Sequence, residues 1–75
     1  MKTIKLQTPR KFQFNGFFGK PYYGNGAFTE GKVYEVLTMR VYPYEEGIPM
    51  TTELVVEDDM GKMKTEEVTY FTEVL

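Results

Sequence analysis

Three adjacent carboxylates, Glu57-Asp58-Asp59, form the tightest cluster of ionisable side chains in the chain, which contains no histidine, cysteine or serine to work with them. Without those residue types the usual nucleophile–base pairs and the commonest metal ligands are missing, so acid–base chemistry would fall to carboxylates, lysines and tyrosines. Oxygen ligands alone can hold a divalent cation. This cluster, however, lacks the alternating acids and the distal glutamate of a calcium loop. Turn chemistry accounts for Asp58-Asp59-Met60-Gly61 between two runs of β-formers: acids suit the early positions, and glycine suits the one with positive φ. Glu45-Glu46 and Glu66-Glu67 read as solvated pairs. The expectation is a protein that is not an enzyme and uses no metal or cofactor.

A second constellation suits binding. Phe17, Phe18, Tyr22, Tyr23 and Phe28 lie among Gly16, Gly19, Pro21, Gly24, Gly26 and Gly31, and Tyr42-Pro43-Tyr44 follows later. Loops run over surfaces, so these rings either fold down over a core or face outward. Phe17, Phe28 and one of Tyr22 or Tyr23 suit a plug for the open end of a barrel, which leaves two or three rings outside. Exposed Tyr and Phe carry large contact area at small entropic cost. The expected protein contacts are Phe17, Phe18, Tyr22 and Tyr23 in the glycine-rich loop 16–31, Tyr44, Glu45 and Glu46 in the next turn, and Asp58 and Asp59 in the last. One alternative partner is single-stranded nucleic acid, because Lys5, Arg10, Lys11 and Lys20 interleave with Phe12, Phe14 and the loop rings. Against it stand a pI of about 5.1 and ten acids in the remainder of the chain, which a phosphate backbone would meet at short range. A third reading is a homodimer or larger homo-oligomer joined through exposed rings or an edge strand.

The elements that must position these groups are short strands. Seventy-five residues make one domain, near the lower limit for folding without disulfides or metals, and a stability of roughly 3–5 kcal/mol is expected. Six Phe and six Tyr supply most of the core. No apolar run approaches a membrane span or a signal peptide, which predicts a cytoplasmic protein. Residues 1–32 carry six bases against Glu30 alone, a net +5, and residues 33–75 carry three bases against ten acids, a net −7. In a small barrel these halves interleave and the charges are expected to pair.

Residues 2–7 alternate, with Ile4 and Leu6 on one face, and 11–15 alternate again, with Phe12 and Phe14 together. Thr8-Pro9-Arg10 leaves two readings open: a turn between two strands, or one bent strand. The strongest strand is 32–39, with Tyr34, Val36 and Thr38 on one face and Val33, Glu35, Leu37 and Met39 on the other, so that its far end is expected to be covered on both sides. Thr51–Glu57 resumes strand character, Met63–Thr65 returns as its partner, and Phe71–Leu75 closes the chain. Glu66–Thr69 suits one helical or 3-10 turn capped by Thr65. No stretch sustains a helical period, and a turn signal every eight to twelve residues predicts an all-β small barrel of five to six strands.

Gly31-Lys32-x-Tyr34-x-Val36, then Val55-Val56 running into Asp58-Asp59-x-Gly61, then Tyr70-Phe71 and Val74, resembles small SH3-like barrel proteins common among phage and prophage products of Firmicutes. The resemblance covers residues 29–75. It implies an SH3-like barrel in which Tyr34, Val36 and Phe71 are core residues, and a phage-encoded protein that acts in the bacterial cytoplasm by binding or inhibiting a host or defence protein. Residues 7–28 and 39–52 depart from the pattern as longer insertions, where any special function is expected.

Overall fold

The alternating stretches at the N-terminus form a single strand rather than a hairpin. The computed structural model describes residues 2–17, 28–43, 47 and 50–75. Among them the elements are β1 (Lys2–Phe14), β2 (Val33–Tyr42), β3 (Thr51–Glu57), β4 (Met63–Glu67), a 3-10 turn (Val68–Tyr70) and β5 (Phe71–Val74). The protein is all-β, as its turn spacing predicts. All neighbouring strands are antiparallel, in the order β4-β3-β2-β1-β5, and the sheet curls into a half-barrel.

Two irregularities produce the curl. Lys5 stands opposite Thr38 and Arg10 opposite Val36, so β1 advances five residues where β2 advances two. The unpaired stretch contains Pro9, which has no N–H to give a ladder. On the other side of β2, Val36 faces Val56 and Thr38 faces Val55, leaving Leu37 as an inserted residue. Bulges bend a strand and increase its twist, and these two coincide. They divide the sheet into one lobe of β5 with the far part of β1 and the near part of β2, and another of β3 and β4 with the remainder.

The insertion at Leu37 also reverses the facing of β2. Tyr34 and Val36 point inward, but the next buried residue is Met39 (8% exposed), while Leu37 is 51% exposed. Strict alternation puts Leu37 and Met39 on one face opposite Val36. The extra residue separates them, so the far end of β2 is covered on the Met39 side and open at Leu37.

The core is Phe12, Phe14, Tyr34, Val36, Met39, Leu54, Val56, Tyr70 and Phe71, with Leu6, Phe17, Phe28 and Val68 packed against it. Tyr34, Val36 and Phe71 therefore hold the interior places expected of them. Phe14 is the hub, with ring centroids of Phe17, Phe71 and Phe28 at 4.9, 5.3 and 5.4 Å. Edge-on and tilted rings at such separations add to the gain from burial alone.

The expected short turn near residues 66–70 is present, as a 3-10 turn at Val68–Tyr70, and Thr65 does not cap it. Thr65 is paired within β4 opposite Val55, and the capping position falls to Glu67, which makes no side-chain cap bond. Burial of Tyr70 holds the turn instead.

Leu54 is fully buried and joins the two lobes opposite Met39. Replacing it with Ala should cost about 2–5 kcal/mol, comparable with the whole stability expected of so small a domain. Urea denaturation of Leu54→Ala should show a largely unfolded population without denaturant, and a midpoint near that of the native chain would contradict this packing.

Candidate interaction surface

The acidic turn that opens the sequence reading is a structural lock. Gly61 has φ +82°, the left-handed conformation its place in the turn requires. Its N–H donates to the Asp58 carbonyl (3.1 Å), and the Asp58 N–H donates to the Lys62 carbonyl (2.8 Å). Inside this loop Asp58 Oδ1 accepts the backbone N–H groups of Met60 and Lys62, both at 2.9 Å. The Asp58 side chain is completely buried, with Lys64 Nζ 3.8 Å from its Oδ2. Asp58 thus departs from the expected contact role: its carboxylate is turned into its own turn, where a partner cannot reach it.

Asp59 ties this turn to the segment that leads into β2. Its Oδ2 accepts Thr29 Oγ1 at 2.6 Å, and its Oδ1 accepts Lys32 Nζ at 2.6 Å and the Tyr34 hydroxyl at 2.9 Å. The same hydroxyl accepts the Thr29 N–H at 2.7 Å. Hydrogen bonds from Lys32 and Thr29 hold the Asp59 carboxyl down at about 2, while burial pushes the Tyr34 phenol up. Position 34 is therefore both core ring and polar tether. The sequence pattern marks Tyr34 for the interior and says nothing of its hydroxyl, because Asp59 lies 25 residues further on.

Arg10 takes part in a similar tie. Its guanidinium donates in bidentate fashion to Glu73, with Nε at 2.7 Å, and lies 5.6 Å from the centre of the Phe12 ring. The bond to Glu73 raises the Arg10 pKa and lowers that of Glu73. Lys11 stands directly opposite Glu35. The basic and acidic halves of the chain therefore interleave across the fold as expected. Of the groups named for nucleic acid, Phe12 and Phe14 are buried and Arg10 is engaged by an acid, while Lys5 and Lys11 are exposed. Phe17, expected at a contact, is half-buried, edge-on to Phe14 and to Tyr70 at 5.0 Å. Phe18, Tyr22, Tyr23, Tyr44, Glu45 and Glu46 lie outside the described residues.

A surface the sequence reading missed lies on the outer face of the sheet. Beside the bulge, Leu37, Val55 and Met63 with Thr38, Glu35 and Glu57 line a depression of about 300 Å³. Met63 is 63% exposed, and Val33 nearby on β2 is 43% exposed. Leu37 alone carried a signal, as an apolar residue opposite Val36: alternation turns it outward, and the irregularity after Val36 turns Met39, its expected neighbour on that face, inward. Among the described residues no group of three or more acids, histidines or cysteines is placed to hold a metal ion, and no helix is long and apolar enough to cross a membrane. Comparison of the chain with protein-family models, with curated proteins and with solved structures yields no match.

The Asp59 tether makes stability depend on pH in a defined direction. A carboxyl held at about 2, against an ordinary 3.8, favours the folded state fully above the ordinary value and loses that contribution as pH falls through its folded value. Asp59→Asn should therefore melt below the native chain at about pH 6, with the gap closing by about pH 2. A gap of unchanged size at the lower pH would show that Asp59 stabilises by some route other than its charge.

Proposed function

We propose that this chain is a non-enzymatic protein-binding module built on an SH3-like barrel. The strand order β4-β3-β2-β1-β5, with a 3-10 turn between the last two strands, supports that family, as does the resemblance over residues 29–75. The binding reading rests on one observation: Leu37 and Met63 stand more than half exposed around a depression, in a domain that buries only nine hydrophobic residues among those described. A small protein that leaves such side chains in water loses burial it can ill spare.

The chemistry of the depression defines the partner. Its apolar lining is Leu37, Val55 and Met63, and Glu35 and Glu57 supply carboxylates beside them. Lys11 stands opposite Glu35 across the ladder. The surface fits a protein segment that inserts one apolar side chain and presents Lys or Arg beside it. The apolar anchor would supply affinity, and the carboxylate charge would supply orientation and association rate. The resemblance implies a host or defence protein as the partner and inhibition as the outcome, with the loops at 16–28 and 44–47 as further contacts.

A displayed random-peptide library tests this reading. Selected peptides should share an apolar residue flanked by Lys or Arg, bind more weakly as salt rises, and lose at least about tenfold in affinity for Leu37→Glu. Leu37 is exposed, so that variant should melt within a few degrees of the native chain. Peptides that bind Leu37→Glu and the native chain equally would remove the depression as the site. Peptides that lose binding only when Tyr22 and Tyr23 are changed to Ala would move the site to the glycine-rich loop.

A further inference from the structure

The edge of the sheet carries an arrangement that the binding reading does not use. β4 is the last strand on its side, and no described strand pairs with its outer edge. An edge strand presents unpaired backbone donors and acceptors and is a template for another strand unless its side chains forbid it. Here they select a partner. Met63, Thr65 and Glu67 face outward, while Lys64 and Glu66, opposite Val56 and Leu54, face inward and are half-covered.

An antiparallel pairing of β4 with a second β4, related by a two-fold axis normal to the sheet, keeps inward residues facing inward residues. Three registers bring the central residues of this strand together. Centred on Lys64, two lysines meet at the axis. Centred on Glu66, two glutamates meet there. Centred on Thr65, Lys64 of each copy stands opposite Glu66 of the other, Met63 stands opposite Glu67, and the two threonines face one another. This last register uses all five residues of the strand, and among those five residues it alone makes two cross-strand ion pairs, since the register centred on Lys64 brings Glu66 only to Lys62 outside the strand. Opposite charges directly across an antiparallel pair stabilise it, like charges destabilise it, and a Thr–Thr pair is favourable.

We infer that two copies of this chain associate through β4, in the register centred on Thr65, to form one continuous sheet held by two Lys64–Glu66 pairs. The half-covered Glu66 would gain a cation from the second copy. Burial already pushes its carboxyl above the usual carboxylate range, against the pull of Lys64 in its own chain. The association also brings the two outer depressions onto one surface on either side of the axis, since Met63 lines each of them. A five-residue strand pair is small, so micromolar rather than nanomolar self-association is expected.

Analytical ultracentrifugation of the native chain at about 5 and about 500 µM should show a shift from monomer to dimer. Glu66→Lys places two lysines opposite one another twice over, and should weaken dimerisation roughly ten- to thirtyfold. Glu66→Gln should fall between the two. Mixing Glu66→Lys with Lys64→Glu should restore a dimer containing one copy of each, because the register then faces lysines with glutamates. Lys64 lies beside the buried Asp58, so circular dichroism should establish that Lys64→Glu folds. If it does not, slower amide exchange across residues 63–67 of the native chain at the higher concentration is the independent readout. A native chain that is monomeric at both concentrations overturns the inference. So does a dimer that Glu66→Lys leaves intact, and a dimer abolished by Leu37→Glu but not by Glu66→Lys would assign self-association to the outer depression. Sedimentation requires no peptide ligand, so these outcomes are independent of the binding reading.

Discussion

A single-layer sheet of five strands has no second layer to cover its apolar face, and in a chain without cysteine nothing covalent can substitute. The bend where β1 and β2 lose register resolves this, and the remaining features of the domain follow from it. Residues 6–9 of β1 and Leu37 of β2 interrupt the ladder at the same level, so the sheet turns on itself there. Phe12 and Phe14 from one lobe then share an interior with Leu54 and Val56 from the other. Burial in a small body is efficient only when one face is closed in this manner, and the order of the strands permits it because β1 and β2 run through both lobes.

The polar ties act where the curl alone would leave ends free. Asp59 draws the β3–β4 turn against Thr29, Lys32 and Tyr34, and the Arg10–Glu73 pair holds β5 to β1 above Phe12. Each tie joins a base from the first part of the chain to an acid from the second. Part of the apparent charge split is thus paired across the fold, at Arg10 with Glu73 and Lys32 with Asp59.

Two exposed features lie beside the same bend. Leu37 faces outward there, and with Met63 and Val55 it lines the depression, while Met39 beyond the irregularity turns in. Because the sheet closes only partway, β4 retains an unpaired edge among the described strands.

Much of the scaffold was legible in the chain itself. Alternation marked β2 and β3, the Asp-Asp-Met-Gly turn showed its chemistry openly, and Tyr34, Val36 and Phe71 were assigned correctly to the interior. These features rest on properties local to a few residues: the two-residue period of a strand and the positive φ of a turn glycine. The single long β1 was one of two readings left open at Thr8-Pro9-Arg10, and the structure takes it. The inward turn of Met39, the uncapped 3-10 turn, the depression and the tethering role of Asp59 were not legible. Each depends on which residue of a distant strand stands opposite, and one inserted residue reverses every facing beyond it. Residue type alone determined that Asp58-Asp59-Met60-Gly61 would form a turn. Asp58 is taken up by N–H groups two and four residues further on, still a local outcome. Only the tertiary structure decided that Asp59 would bind the loop before β2, because that tie spans more than twenty residues of chain.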